Sequence, residues 1–528
     1  MSSTKEKYLL FIGLCVAIIP ILLIRDYTPS NELRYLSIAD EALRNHTFFT
    51  FTNHGVVYAD KPPLYLWIVM GLRWLLGSHQ MWALALASVL PALVIVHVMD
   101  TWVRREMNES LRSTARMMLL TSAFFLGAAI TMRMDMLMCM FIVLAMRSFW
   151  RIYTDSEHKE REKWLFAIYL FLALFTKGPL GILIPLLGIV VFLITERKPR
   201  RIAETWGWRT WLVLLAGCAL WWGMVYAEGG KEYLDNLLFH QTVDRAVHAF
   251  HHKRPFYYYL ICMWYCLAPW ALLVIGSIVM SWRKKAKKSS MQSFFAITSA
   301  TTLIMLSCLS GKLQIYMLPA IPFMVYAAIL YLPEIGQKKW CKALLTIPMW
   351  VLTLTLPGAI VARWVAPEQA LLHSPWLYIA ATALSIGAAW GLYEAYKGKG
   401  VEQYEKATLR LTLGLFITLF AGGFALDTIN DQIGYAKLCE KIETLSQQSK
   451  IKEVAAWRVK NARDMDVYLH QDVREIADDG SPIDSIHTNC LLVVPTKDAG
   501  IFAHNKKEAF GKMTIVAFDQ KQKMETPK

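Results

Sequence analysis

Five short groups of charged and aromatic residues stand at the edges of apolar runs, and their side chains suit the handling of a phosphate. The first is Asn31-Glu32-Leu33-Arg34-Tyr35, and the second is Tyr58-Ala59-Asp60-Lys61-Pro62-Pro63. Arg133-Met134-Asp135 is the third, at the mouth of an apolar segment. The fourth runs from His240 to Arg254, with Arg245, His248, His251, His252 and Lys253, and is followed by Tyr257-Tyr258-Tyr259. The fifth is Ser310 to Pro319, with Lys312 and Tyr316. Lysine and arginine neutralise a phosphate through charge-assisted hydrogen bonds. They also stabilise it as a leaving group, because its negative charge grows in the transition state. A carboxylate beside them can orient or deprotonate an acceptor hydroxyl. Plainer readings stand beside this one. Arg34 and Lys61 can snorkel to lipid headgroups, and Asp135 can simply pair with Arg133. Glu32 can sit at the positive end of a helix. The histidine-rich stretch can be a solvated loop, and the three tyrosines an aromatic belt.

The elements that must position these groups are membrane helices. Of the 528 residues, 55% are hydrophobic and 18% charged, and the mean hydropathy is +0.34. Apolar runs close to a bilayer's thickness recur from Tyr8–Ile24 onwards. The N-terminal run follows Lys5 and Lys7 and lacks a small-residue cleavage site, so it reads as a retained first span, with a cleaved signal peptide as the rival. Further spans are expected at 81–103, 115–131, 136–153, 164–176, 179–195, 209–226, 257–280, 292–309, 315–332, 341–362, 376–395 and 409–427, about 13 in all. Glu32–Arg44 has Leu36, Ala39 and Leu43 on one face, with Arg34 and Glu41 facing away, and reads as an interfacial helix. The short run 62–77 reads as a second. This choice sets the parity of every later span.

With that parity the basic clusters near 104–116, 197–201, 283–288 and 338–339 fall on the cytoplasmic side, as the positive-inside rule requires. The five groups and the tail then fall outside. The net charge of +15 is therefore read as topology and contact with membrane lipids, with no nucleic-acid partner. The chain divides into a membrane domain, 1–427, whose outer loop spans 25–80, and a soluble domain, 428–528. The tail shows helical spacing at Ile433, Ala436, Leu438 and Ile442, then strand-like runs at 453–459, 491–494 and 513–518. Of nine cysteines, Cys439 and Cys490 lie in this tail, where pairing is conceivable.

The order of these motifs, with Lys177-Gly178-Pro179 between the third group and the fourth, resembles the GT-C glycosyltransferases. The branch it is most similar to is that of the bacterial aminoarabinose (4-amino-4-deoxy-L-arabinose) lipid A transferases and their protein O-mannosyltransferase relatives. The resemblance runs from about residue 20 to 330. It implies an all-α polytopic membrane fold with a small α/β periplasmic domain at the C-terminus. It also implies inverting transfer of a sugar from a polyprenyl-phosphate donor to lipid A or a protein, on the periplasmic face of a bacterial inner membrane. Carried over by position, Lys61 and Arg245 would hold the lipid phosphate, Tyr316 would touch the donor beside it with Lys312 and Arg34 nearby, and Asp135 would be an active-site acid. Asp60 stands where the family usually has Glu, and with His240 it would be a candidate for a divalent cation, the one cofactor the resemblance suggests. The family's first acid is replaced by Asn31, which can cap a helix but takes no proton. A base would then have to be Glu32 or Asp135, with Asp26 more remote; otherwise the acceptor is an already ionised phosphate. The competing reading is a transporter or flippase for a lipid-linked or anionic substrate. Lys177 is its best support, since a charge within the membrane is a transporter feature.

Overall fold

The computed structural model describes residues 3–154, 157–238, 253–283, 289–478, 489–502 and 505–518. It is a helical body with a small mixed sheet seated on one end. Helices occupy every expected span position, but their lengths differ from a uniform set of crossings. Among the described residues, seven helices are long and apolar enough to cross a membrane, or eight if the pair Lys339–Thr353 and Thr355–Val365, bent by 41°, counts as one. Helix α1 (Ser3–Ile24) and helix α4 (Met81–Trp102) each contain 22 residues, about 33 Å at 1.5 Å per residue. That suffices for a hydrocarbon core of roughly 30 Å.

Several expected spans are broken. The 115–131 run forms α5 (Glu109–Thr121) and α6 (Ala123–Ala129), parted at Ser122, which leaves helical geometry (φ −64°, ψ 122°). The 257–280 run splits at Ala268-Pro269 into Tyr258–Cys266 and Ala271–Arg283. The 315–332 run is a tight turn, Gln314–Met317, followed by Ala320–Leu330. Helix α7 (Met134–Tyr153) and helix α8 (Lys159–Lys177) match their expected places. Gly178, at φ +102°, ends α8, and Leu180–Thr195 (α9) runs back. A Cβ at Gly181 would lie 2.5 Å from the carbonyl carbon of Ala173, so the two helices meet where only glycine fits. Gly387 and Gly414 similarly let Pro375–Lys397 and Glu402–Ala425 touch backbone to backbone.

Two charged residues assigned to a basic cytoplasmic loop are buried instead. Arg116 pairs with Asp100 at 2.6 Å and Glu109 at 2.8 Å, and Arg112 contacts both carboxylates. Lys7 joins them 3.7 Å from Asp100. These ion pairs clasp α1, α4 and α5 at the end away from residues 25–80. Burial without them would be prohibitive.

The outer loop contains α2 (Arg34–Asn45), a two-stranded hairpin, β1 (Thr52–Asn53) and β2 (Val56–Val57), and α3 (Leu64–Leu76). Helix α3 has 13 residues, about 20 Å, which accords with an interfacial helix. Helix α2 departs from its expected amphipathic reading. Ile38 is fully buried and Glu41 is 8% exposed: Asp466, in the segment Asp466–Leu469 of the C-terminal unit, meets α2 at Ser37, and the hairpin covers Glu41. Glu41 accepts from the backbone of His54 (2.6 Å) and Gly55 (3.0 Å) and so holds the hairpin.

The C-terminal unit packs helix α10 (Ala436–Ser449) against a five-stranded sheet. Its strands are β3 (Glu453–Trp457), β4 (Arg474–Ile476), β5 (Cys490–Pro495), β6 (Lys506–Phe510) and β7 (Met513–Phe518), in the order β4-β3-β5-β7-β6. Strand β3 runs parallel to β4 and β5, and the other pairs are antiparallel. Alternation along the strands makes two faces. Val454, Leu491, Val493 and Ile515 share one apolar cluster with α10, α2 and α3, whereas Trp457, Leu492, Val494 and Phe502 share another. Cys439 belongs to the first and Cys490 to the second, so the sheet separates them and both are free thiols.

Candidate active site

Asp135 and Lys177 form the centre of the site. Asp135 lies in the first turn of α7, and Lys177 is the last residue of α8. The Lys177 ammonium donates to the Asp135 carboxylate, and their side chains are 6–7% exposed. The same ammonium sits 4.7 Å from the centre of the Tyr316 ring, within cation–π range. Lys61 and Arg133 are close enough for their charges to act on Lys177. Arg133, Arg34 and Asp60 in turn act on Tyr35, which hydrogen-bonds Tyr58. Burial pushes the Tyr35, Tyr58 and Tyr65 hydroxyls above the ordinary phenol range, so they remain neutral donors. The first, second, third and fifth groups therefore meet. Arg34, Lys61, Arg133 and Lys177 against Asp60 and Asp135 sum to +2.

Local folding explains the convergence. Glu228, on the helix Trp208–Asp235, receives the backbone N–H groups of Phe48, Phe49 and Thr50 at 2.8–3.3 Å. Tyr233, a little further on, accepts from the Phe51 N–H and donates to the Tyr58 carbonyl, both at 2.9 Å. The chain from 48 to 61 is thus fastened at the mouth of the helical body. On the opposite flank Tyr259 is 1% exposed and donates to the Leu313 carbonyl at 3.1 Å. It is a brace for the turn that carries Tyr316, not part of an aromatic belt; Phe256 and Tyr257 remain exposed. Lys253 pairs with Gly311 as an isolated antiparallel bridge. Arg245 and His240 lie outside the described residues.

Other expected residues have different places. Glu32 is 2% exposed and is engaged on both oxygens. Arg25 grips it twice at 2.7 Å, Thr28 donates its N–H at 2.9 Å and its hydroxyl at 3.0 Å, and the Met132 N–H donates at 3.0 Å. Burial opposes its charge, but these donors win and hold its pKa below the usual carboxylate range. Glu32 is accordingly a pin between the outer loop and residue 132. Asn31 is exposed within the turn Pro29–Leu33 and does not cap α2, which begins at Arg34. Asp26 is also structural. It accepts from Tyr468 and, at 2.8 Å, from the Ala436 N–H, which anchors the C-terminal unit. Lys312 is 4% exposed and donates to the Leu309 carbonyl at the end of Ser290–Cys308, a favourable place for a cation. Among the described residues no three His, Cys, Asp or Glu side chains converge as metal ligands. Asp60, set among cations, is a poor single ligand on which to build such a site.

Lys177 is absent from the site residues the sequence suggests, although Lys-Gly-Pro belongs to the motif order and the same lysine is the best support of the transporter reading. Its partner Asp135 and its stacking on Tyr316 put it in the same site as the other groups.

Comparisons with known proteins accord with this arrangement. A family model described as dolichyl-phosphate-mannose-protein mannosyltransferase matches residues 60–222. A relative from Erwinia tasmaniensis, undecaprenyl phosphate-alpha-4-amino-4-deoxy-L-arabinose arabinosyl transferase, is 25% identical over 418 residues, 76% of this chain and 73% of its own length. The protein of the same name from Edwardsiella ictaluri is 25% identical over 305 residues, 55% of this chain and 52% of its own. The crystal structure of ArnT from Cupriavidus metallidurans bound to undecaprenyl phosphate superposes with a TM-score of 0.78, at 16% identity, over 98% of both chains. This chain has the fold of ArnT and is similar in sequence to the aminoarabinose transferases. The matched segment 60–222 contains Asp60, Lys61, Arg133, Asp135 and Lys177. Nothing in the site or the comparisons supports the transporter reading.

Proposed function

We propose that this protein transfers an aminoarabinose-like pentose from undecaprenyl phosphate, or a similar polyprenyl phosphate, to a phosphate of lipid A. The observation that carries the reading is the cation set Lys61, Arg133 and Lys177 gathered at Asp135 and Tyr316, with Arg34 beside Tyr35 on the same flank as Arg133. A sugar-linked phosphodiester carries one negative charge. When the bond between the anomeric carbon and the phosphate oxygen breaks, the departing monoester carries nearly two. A site of net +2 charge stabilises the leaving group more than the bound donor, which is the requirement for acceleration. Tyr316 and Lys177 face the leaving phosphate, with Lys61 and Arg245 as its remaining clamp, and Asp135 keeps Lys177 in place. A new bond forms from an acceptor oxygen to the anomeric carbon, with inversion.

The acceptor assignment rests on the fate of the carboxylates. Asn31 takes no proton, Glu32 is saturated with donors, and Asp135 is paired with Lys177. A phosphate acceptor is ionised at neutral pH and needs no base. In this reading the N-terminus is cytoplasmic, and the site and the C-terminal unit, from about residue 428, are periplasmic. The C-terminal unit supports a shared side, because it packs on residues 26–70, while Arg104 and Arg105 lie at the far end of α4. The test is transfer in proteoliposomes to lipid A and to its dephosphorylated form. Modification of lipid A alone is expected. Equal use of both acceptors overturns the phosphate assignment, with Asp60 then the remaining base.

A further inference from the structure

The hairpin that leads into Asp60–Lys61 is tied to the C-terminal unit by one histidine between two buried carboxylates. His54 Nε2 is 3.2 Å from Asp464 Oδ1, and Nδ1 is 3.8 Å from Asp466 Oδ2. The imidazole is 12% exposed and the carboxylates 3% and 6%. Ser37 on α2 donates to Asp466 Oδ2 at 2.9 Å and lies 3.5 Å from His54 Nε2. The second oxygens, Asp464 Oδ2 and Asp466 Oδ1, are buried without a hydrogen-bond partner among the described residues. Two carboxylates so placed need a cation between them. The segment holding them, Ala462–Leu469, also carries Tyr468, which binds Asp26. From the hairpin the chain continues directly to Tyr58, Asp60 and Lys61.

We propose that His54 is a positioning residue for the Asp60–Lys61 loop: as an imidazolium clamped by Asp464 and Asp466 it docks the loop on the C-terminal unit, and the dock loosens as the imidazolium loses its proton. The kinetic part rests on the transferase reading above. The other charged groups facing the clamp are Asp40 and Glu41 on α2. Asp40 is bound by Arg73 and His79 at 3.0 Å, and Glu41 by the hairpin backbone. Burial disfavours the His54 charge, but Asp464, Asp466 and Glu41 outweigh it and raise its pKa. Burial raises Asp466 to about 6, although His54 and Ser37 oppose the shift. The His54 folded-state value lies above the unfolded one, so its contribution is present in mild acid and is lost as pH rises. Asp466 becomes a carboxylate only above about 6, so the two-carboxylate clamp is complete from there until the imidazolium loses its proton.

The test uses the full-length protein in lipid nanodiscs, with hydrogen exchange of residues 52–61 and donor kinetics measured from pH 6 to pH 8.5. Between these limits the intrinsically corrected exchange and the donor KM of the wild type should each rise severalfold, with kcat nearly constant. His54→Lys, which keeps the positive charge, should abolish both pH dependences. Asp464→Asn with Asp466→Asn should leave the segment loose throughout. Flat wild-type exchange, or His54→Lys with the wild-type pH profile, overturns the clamp. A wild type inert with polyprenyl-phosphate sugars refutes the transferase reading instead, and the exchange data still decide the clamp.

Discussion

Replacing Lys177 by methionine should separate the folding role of the Asp135–Lys177 pair from its chemical role. The two side chains are 6–7% exposed, so loss of one leaves a buried charge without its partner. That costs about 3–5 kcal/mol, and the lost contact with the Tyr316 ring at 4.7 Å adds roughly 1 kcal/mol. Asp135→Asn should destabilise by a similar amount, because it strands the ammonium. The double variant, Asp135→Asn with Lys177→Met, buries no charge and should recover most of the stability. Activity should follow a different pattern. If Lys177 stabilises the departing phosphate, its loss costs about 3 kcal/mol of transition-state stabilisation, roughly a hundredfold in kcat. The double variant cannot restore this. The assay pairs the denaturation midpoint in detergent with single-turnover transfer from a polyprenyl-phosphate sugar. A double variant that regains both stability and turnover would refute the reasoning, since the pair would then be structural alone.

Glu32→Gln should lower stability by about 3 kcal/mol, because Arg25 loses its bidentate partner. Since the Glu32 pKa is lowered by folding, the wild type's contribution is present above the ordinary carboxylate pKa and fades as pH falls through the lowered value; acid denaturation of the variant should lack this component. Gly414→Leu should abolish accumulation of folded protein, because even a Cβ there would lie 2.8 Å from the Gly387 Cα. Under non-reducing denaturation both Cys439 and Cys490 should alkylate, as expected for thiols held on opposite faces of a sheet.

Much of this architecture was legible in the sequence because the bilayer demands long apolar runs, and these announce their positions whatever their neighbours. The hidden features are those decided by tertiary contact. Ile38 and Glu41 look misplaced on an amphipathic helix until the segment Asp466–Leu469 and the outer-loop hairpin are laid against it. Arg112 and Arg116 look like loop charges because Asp100, their partner, stands on another helix. Strands β4 and β6 are short or edge-bound, and Lys506-Lys507-Glu508 carries no apolar alternation to reveal a strand. At the site, Lys61, Asp135 and Tyr316 were recognisable from motif order. Lys177 was not, because a lysine at a helix end has the same local sequence whether it serves transport or a phosphate. Only its placement against Asp135 decides. Glu32 shows the reverse case, a carboxylate in a catalytic-looking motif whose oxygens are all taken by structural donors.

The most direct measurement is the mass of lipid A after incubation with purified protein and an undecaprenyl-phosphate aminopentose in proteoliposomes, for the wild type and for Lys61→Ala. The wild type should add one aminopentose to phosphorylated lipid A. Lys61→Ala should remain folded and add essentially none. Unmodified lipid A with the wild type, or full modification by the folded Lys61→Ala variant, would contradict the assignment of this cationic site to a lipid-linked phosphate.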